Sequence, residues 1–300
     1  MYHYVREVAA SRFPGIKGLE IAGFRRQLDH LVSNYSIVTQ RQVMDAFHGG
    51  EPLPPAACWL TFDDGYKDHY TYVLPELVSR GLAGTFFVPS RPILESVILD
   101  VHAIQHVIAS ATDEGQLVRQ FYEECKEFGI GEDYLDKQWS AYASPNRFDS
   151  GEIIFLKRML QHVLPRSVRR EILAKLLPSM AGLTEEELAA ELYLSFEEAQ
   201  QLVRAGMSVG AHTHTHPWLN RIGRAEKLSE LEASRTLITR LGADSGQWSM
   251  AYPYGAYDAE TIELAQGAGC ALAVTTNPTI SNIRDEPLIL GRLDTNDFPQ

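Results

Sequence analysis

The stretch CWLTFDDGYKDHYTYVLPELVSRGLAGTFFV, residues 58–88, decides the fold of this chain. It begins with an apolar run, Cys58–Phe62, continues with a helical pattern that a glycine ends, and closes with the β-rich segment 84–88. Because two parallel strands need a crossover helix between them, this order predicts a βαβ unit. Asp63 and Asp64 then follow the first strand at its C-terminal end.

The two adjacent aspartates have two interpretations. Side chains of neighbouring residues at a strand end diverge, so one carboxylate could ligate a cation while the other handles a proton. Alternatively, the aspartates cap the next helix, since Asp is a favoured N-cap residue and Gly65 suits a tight turn. Taken alone, this stretch favours the cap, so the choice depends on the rest of the chain.

The alternation of strand and helix patterns continues on both sides of this unit. Before it, the helical pattern Phe24–Leu31 stands between a short apolar start and a predicted strand. After about residue 206, further strand patterns alternate with helical ones, and the predicted strands are 207–211, 249–252, 270–275 and 287–293. A run of βα units favours an α/β barrel or an open parallel sheet, with its site at the C-terminal ends of the strands.

The middle of the chain has a different pattern. From about Ser90 to Gly206 the sequence is mainly helical, is punctuated by prolines and has few strand candidates. Its last helix has the clearest signals, because Ser195 and Glu198 form a capping box and Gly206 is a good stop. We therefore predict a helical insertion between the two βα segments.

Composition limits the classes of partner. The formal net charge is −12 and no cluster of basic and aromatic residues offsets it, so neither nucleic acid nor an anionic membrane surface is expected as a partner. The N-terminal stretch lacks the apolar segment of a signal peptide, and no apolar run reaches the ~18 residues of a membrane span. These features predict a soluble, cytoplasmic protein. The three cysteines are far apart and are expected to be reduced thiols.

The second informative stretch is GAHTHTHPWL, residues 210–219, which directly follows a predicted strand. Imidazole is the commonest protein ligand for zinc-like ions, and His212 and His216 on one helical turn can converge on a single metal ion. On an extended backbone, His212 and His214 would also point to one side. The pattern predicts a metal site and leaves the choice between these pairs open.

The third stretch, AYPYGAYD at 251–258, also follows a predicted strand. By itself PYG is ordinary turn chemistry. The three stretches, however, all fall at strand ends in a series of βα units, where such folds build their sites. Their joint occurrence favours a functional site over three unrelated turns.

With these motifs the sequence resembles the polysaccharide deacetylase family, the carbohydrate esterases of the NodB-homology type. TFDDG at 61–65, HTHTH at 212–216 and AYPYG at 251–255 are similar to the family's first three motifs and occur in the family's order. The resemblance implies an α/β fold, a distorted (β/α) barrel of parallel strands with a mainly helical insertion packed on it. The implied limits are 1–90 and 206–300 for the barrel and 91–205 for the insertion.

The resemblance also implies the roles of the site residues. Asp63 resembles the catalytic base, and the backbone N–H of Tyr254 resembles a donor that stabilises the oxyanion. The implied ligands of a divalent metal ion, expected to be Zn²⁺, are Asp64, His212 and His216. The chemistry agrees with this division, because a metal with an open position activates water and polarises a carbonyl while a neighbouring carboxylate removes the proton.

One departure from the family pattern concerns the group that holds the base. Family members often carry an arginine at the start of the third motif, and this chain has Ala251 there. We expect another cation to substitute for it, with Arg292 and Lys67 as candidates. The predicted substrate-binding residues are Pro253, Tyr254 and Arg292.

The other departure concerns the general acid. The family's late Leu-x-His motif, which supplies this acid, is missing, because no histidine follows His216. We expect His3 or His102 to protonate the departing amine, with His102 entering the site from the start of the insertion. The alternative for His102 is that it only packs or hydrogen-bonds within its own helix.

The resemblance implies a metal-dependent hydrolase of non-peptide C–N bonds that removes the acetyl group from an N-acetylated sugar. The sugar is expected to be free, polymeric, or in a nucleotide- or lipid-linked form, in surface-polysaccharide or O-antigen biosynthesis. The insertion is expected either to close one end of the site or to serve as an oligomerisation surface. The alternatives are another C–N amide hydrolase on the same scaffold and a catalytically silent sugar-binding member, which the two departures suggest.

Overall fold

Parallel strands form the frame that carries the three motifs. A computed structural model describes residues 1–146, 149–243 and 246–298. Its strands are β1 (Val5–Arg6), β2 (Leu19–Glu20), β3 (Ser36–Val38), β4 (Ala57–Trp59), β5 (Thr61–Asp63), β6 (Thr85–Val88), β7 (Ser208–Ala211), β8 (Trp248–Ala251) and β9 (Cys270–Val274). The central sheet has the order β5-β6-β7-β8-β9, while β1 pairs with β2 and β3 with β4. The strand pairs in the described part of the chain are all parallel, which confirms the predicted α/β class.

Helices connect these strands. They are α1 (Ile21–Asn34), α2 (Gln40–Phe47), α3 (Leu74–Ser79), α4 (Ser90–Glu95), α5 (Asp100–Ser110), α6 (Glu114–Glu127), α7 (Glu132–Tyr142), α8 (Gly151–Arg158), α9 (Arg166–Ala181), α10 (Glu185–Leu192), α11 (Phe196–Arg204), α12 (Arg224–Arg240) and α13 (Ala259–Gly267). The predicted capping box of Ser195 and Glu198 is present at the start of α11. Among the helices of the described residues, none is both long enough and apolar enough to span a bilayer.

The predicted strand 58–62 is interrupted at Leu60. The part before the interruption is β4, which pairs with β3, and the part after it is β5, which pairs with β6 in the central sheet. Asp63 is the last residue of β5, and Asp64 adopts a left-handed backbone conformation with φ of 77°. Asp is one of the residues that tolerate this region, so the chain turns sharply between the two carboxylates.

The predicted strand 287–293 is not formed as such. The segment makes an isolated parallel bridge between Val274 and Leu290. The next backbone bond, from the N–H of Arg292, goes to the carbonyl of Asn277 in the loop after β9 and does not continue the ladder. The segment nevertheless runs beside β9, which brings Arg292 to the sheet.

The chain divides into two units. The first comprises Met1–Val8, Lys17–Ser96 and Glu191–Gln300, and the second comprises Ala9–Ile16 and Val97–Ala190. The second unit is helical over Val97–Ala190, a narrower range than the predicted 91–205, and it also contains Ala9–Ile16, which were predicted to belong to the barrel. The helix α11, predicted to lie in the insertion, belongs to the first unit because Ala199 and Leu202 are buried in the same hydrophobic cluster as Phe62 and Phe86.

Candidate active site

The three motifs meet at the edge of the central sheet where the strands have their C-terminal ends. Asp63 ends β5, His212 follows the last residue of β7, and Tyr252 follows the last residue of β8. The strand registers that align these ends are Asp63 with Phe87, Val88 with Ala211 and Ala211 with Met250. The carboxyl edge of a parallel sheet is where α/β folds bind ligands, so the sequence motifs converge on one place.

Asp64, His212 and His216 form a candidate metal site. A potential ligand atom from each residue lies within 4.8 Å of the others, and the three side chains are buried. Asp64 Oδ1 lies 3.3 Å from His212 Nε2 and 3.4 Å from His216 Nε2. One carboxylate and two imidazoles are one of the donor sets found in catalytic zinc sites, in which a further position stays open for water or substrate. The residues present therefore fit a divalent metal ion.

Hydrogen bonds orient the side chains of His212 and Asp64. The Nδ1 atom of His212 donates to the carbonyl oxygen of Ala251 at 2.7 Å, so in the neutral ring the Nε2 lone pair faces the site. The hydroxyl of Tyr66 donates to Asp64 Oδ2 at 2.8 Å, which leaves Oδ1 for the histidines. Burial and the charge of Asp64 raise the pKa of Tyr66 well above its ordinary value, so the phenol remains a donor.

Arg292 holds the neighbouring carboxylate, Asp63. The guanidinium donates two parallel hydrogen bonds, from Nη1 to Oδ1 at 2.8 Å and from Nη2 to Oδ2 at 2.7 Å. Burial opposes ionisation of Asp63, but the charge and hydrogen bonds of Arg292 outweigh it and lower the carboxyl pKa to about 2. Asp63 is therefore ionised at neutral pH.

Arg292 is the cation that binds Asp63, the role expected of an arginine at the position that Ala251 occupies. Its remaining bonds go to Thr61 Oγ1 at 3.2 Å and to the carbonyl of Thr275 at 2.9 Å, and the residue is 7% exposed. The guanidinium of Arg292 is buried and bonded within the protein, and its assignment to substrate binding stays a prediction. Of the two candidate cations, Arg292 rather than Lys67 binds the carboxylate of Asp63.

Of the two candidate acids, His3 lies beside Asp63, the candidate base. Its Nε2 lies 4.0 Å from Asp63 Oδ2, and its side chain is 40% exposed, so it can exchange protons with solvent. The buried His69 donates from Nε2 to the backbone carbonyl of His3 at 2.9 Å. The other candidate, His102, lies in α5 of the second unit and is completely buried, and its assignment as the acid stays a prediction.

Tyr254 lies beside the candidate metal ligand His216 in a constrained turn. Its φ of 57° is rare for an aromatic residue. The ring packs nearly perpendicular to the His216 ring at a centroid distance of 4.7 Å and stacks on Trp218 at 4.8 Å. The next position, 255, favours glycine, because a Cβ there would come 2.2 Å from Thr276 Oγ1. Pro253 is buried in the same turn, and the oxyanion role of the Tyr254 N–H stays a prediction.

Sequence reasoning missed Tyr66 and Trp218. Each follows a motif residue closely, Tyr66 two positions after Asp64 and Trp218 two positions after His216. Their aromatic character was the available signal, because polar-tipped rings near a metal motif can orient ligands from outside the coordination sphere. The pattern alone does not show the direction of either ring.

Comparisons with known proteins agree with this geometry. The model of the family described as Polysaccharide deacetylase matches residues 179–273, which contain the second and third motifs. The poly-beta-1,6-N-acetyl-D-glucosamine N-deacetylase of Escherichia coli K12 is 41% identical over 78 residues, which are 25% of this chain and 11% of that protein. The chain thus matches only a small part of the length of this curated relative.

Solved structures extend the likeness to nearly the whole chain. The Streptococcus pyogenes deacetylase PplD, solved with acetate, has 18% identity and a TM-score of 0.58, over 98% of this chain and 89% of its own. A de-N-acetylase from Aggregatibacter actinomycetemcomitans has 17% identity and a TM-score of 0.57, over 98% and 93% of the two chains. At these identities the likeness shows the fold, and it confirms the predicted NodB-type barrel. The family match covers the second and third motifs, and the first motif, TFDDG, stands at the same sheet edge.

Proposed function

We propose that this chain is a metal-dependent N-deacetylase that acts on an N-acetylated sugar, and preferably on a sugar polymer. One observation carries the proposal. Asp63 is ionised and accepts two hydrogen bonds from Arg292, while its neighbour Asp64 faces His212 and His216. This arrangement separates a proton acceptor from a metal site at adjacent positions of the chain, which suits the metal-assisted hydrolysis of an amide.

The reaction divides among the residues of the site. A divalent ion held by Asp64, His212 and His216 would polarise the acetyl carbonyl and acidify water. Asp63 accepts a proton from the attacking water while the oxygen of that water bonds to the carbonyl carbon. The C–N bond then breaks, the amine nitrogen takes up a proton, and acetate is released. We propose His3 as the donor of that proton, which the 4.0 Å distance between its Nε2 and Asp63 Oδ2 supports, and the protonated Asp63 as the second candidate.

The substrate proposal follows the chemistry named for a relative. The Escherichia coli relative is named as an N-deacetylase of poly-beta-1,6-N-acetyl-D-glucosamine, so polymers of N-acetylglucosamine are the first substrates to test. Nucleotide- and lipid-linked sugars of surface-polysaccharide or O-antigen synthesis are the next. Zinc as the metal and a cytoplasmic location are parts of the same proposal, which metal analysis and cell fractionation test.

The deciding experiment joins metal analysis to an acetate-release assay. The purified chain is expected to contain about one divalent ion, and to release acetate and expose free amines in equal amounts from N-acetylglucosamine oligomers. Chelation should stop the reaction and added Zn²⁺ should restore it, while Asp63→Asn serves as the matched inactive control. Turnover of other amides without turnover of acetylated sugars would favour the rival C–N hydrolase. Sugar binding with neither metal nor turnover would favour the silent binding protein.

A further inference from the structure

The loop between the two metal-facing histidines, Thr213–Thr215, is held from two sides by residues outside the metal site. We propose that Glu230 on α12 and Ser90 at the start of α4 are positioning residues for the metal centre. Together these two residues are called the loop clamp below. The inference rests on the proposed metal-dependent function, and it assigns His214 to contacts with the loop clamp rather than to the metal.

Glu230 holds one side of the loop. Its Oε2 accepts hydrogen bonds from the backbone N–H groups of His214 and Thr215, both at 2.7 Å, and its Oε1 accepts from Thr215 Oγ1 at 2.6 Å. The residue is 5% exposed. A buried carboxylate needs hydrogen-bond donors to offset its lost hydration, and these three all come from the loop. Glu230 and the loop therefore constrain each other.

Ser90 and its neighbour hold the other side. The backbone N–H of Ser90 donates to the carbonyl of Thr213 at 3.0 Å, and that of Arg91 donates to the carbonyl of His214 at 3.1 Å. The side chain of Ser90 is fully buried, and its Oγ lies 2.9 Å from His214 Nδ1. The other ring nitrogen of His214 lies 3.4 Å from Glu95 Oε1. Both nitrogens of His214 are thus engaged outside the metal site.

The loop needs such support because its backbone is strained. Thr213 has φ of 61° and His216 has φ of 58°, and the left-handed region is unfavourable for a β-branched threonine. Strain of this kind persists only where the surroundings over-determine the conformation. With these two residues in the left-handed conformation, Nε2 of His212 and Nε2 of His216 both lie close to Oδ1 of Asp64. Relaxation of the loop would separate the ligands, so the loop clamp should govern metal affinity.

The test measures Zn²⁺ affinity of the full chain by competition with a chelator. Glu230→Gln is nearly isosteric but lacks the charge and one acceptor oxygen, and it is expected to weaken Zn²⁺ binding about 10- to 100-fold, the usual effect of losing a partner that orients metal ligands. Ser90→Ala should weaken binding in the same direction by less. Glu232→Gln, an exposed position on the same helix, is the matched control and should bind Zn²⁺ like the wild type.

Several outcomes separate this inference from its alternatives. Saturating Zn²⁺ should restore most of the kcat of Glu230→Gln, because the loop clamp acts on metal binding. Unchanged Zn²⁺ affinity in Glu230→Gln, even with lower stability of the metal-free protein, would overturn the inference. If Glu230→Gln does not fold, Thr215→Val removes one of the three bonds and should show a smaller loss of affinity. A wild-type chain that binds Zn²⁺ but releases no acetate refutes the proposed function, and the affinity comparison still decides the role of the clamp.

Discussion

Replacing Arg292 with methionine should destabilise the protein strongly, because the change leaves the carboxylate of Asp63 buried without its partner. The two residues are 7% and 1% exposed. The guanidinium lowers the pKa of Asp63 from 3.8 to about 2 against the opposing effect of burial. At ~1.4 kcal/mol for each pKa unit, this favours the ionised carboxyl by about 2.5 kcal/mol after the cost of burial has been met.

The expected loss of unfolding free energy in Arg292→Met therefore exceeds this net stabilisation of the ionised Asp63. Breaking a buried ion pair by removing one partner costs about 3–5 kcal/mol in proteins, and we expect Arg292→Met to lie in this range. Arg292→Lys keeps the charge but cannot form the two parallel hydrogen bonds to Asp63, so its loss should be smaller and still measurable.

The assay is urea unfolding at pH 7 of a double-mutant cycle. The variants are the wild type, Arg292→Met, Asp63→Asn and the double variant, with the exposed Arg284→Met as the control, expected within about 0.5 kcal/mol of the wild type. The double variant should be more stable than the sum of the single losses predicts, because it leaves no buried charge unpaired. A cost below about 1 kcal/mol for Arg292→Met, with additive effects in the cycle, would refute the reasoning that Arg292 holds the base.

Four further predictions concern the site and its surroundings. His216→Ala should lower metal content and acetate release together, and a variant that keeps its metal would remove His216 from the ligand set. Asp63→Asn should keep the metal and lower kcat at least about 100-fold, since an amide does not accept the proton of water; unchanged turnover would end its role as the base. His3→Gln should lower kcat with little change in KM, whereas a changed pH–rate profile in His102→Gln alone would assign the acid to His102. Burial lowers the pKa of His69 from 6.5 to about 4, so the unfolded chain binds a proton that the folded chain excludes. The free energy of unfolding should fall by up to about 3 kcal/mol as the pH drops from 6.5 to 4, and an equal fall in His69→Gln would contradict this.

Local patterns in the sequence were sufficient for the fold class and for the three motif loops. Apolar periodicity marked β5, β6, β7, β8 and β9, and the turn residues marked where each strand stops. Because parallel strands end at the same edge, the motifs were expected to meet, and they do. The residue types in TFDDG and HTHTH likewise indicated a carboxylate and imidazole site before any distance was known.

Two choices within the motifs needed the backbone conformation. Spacing left open whether His212 pairs with His214 or with His216. The left-handed conformation of Thr213 breaks the extended backbone that would have put His212 and His214 on one side. The split of the predicted strand at Leu60 was also invisible, because an apolar run does not show that its two halves pair in different sheets.

The partners of the site residues were decided by tertiary structure. Arg292 and Asp63 are 229 positions apart, and Glu230 lies 16 positions after His214, whose backbone N–H donates to it. Such contacts depend on how whole elements pack and on the direction in which each side chain leaves them. A pattern of neighbouring residues carries no information about either, so the sequence alone determined the chemical groups of the site, and the fold determined which of them hold one another.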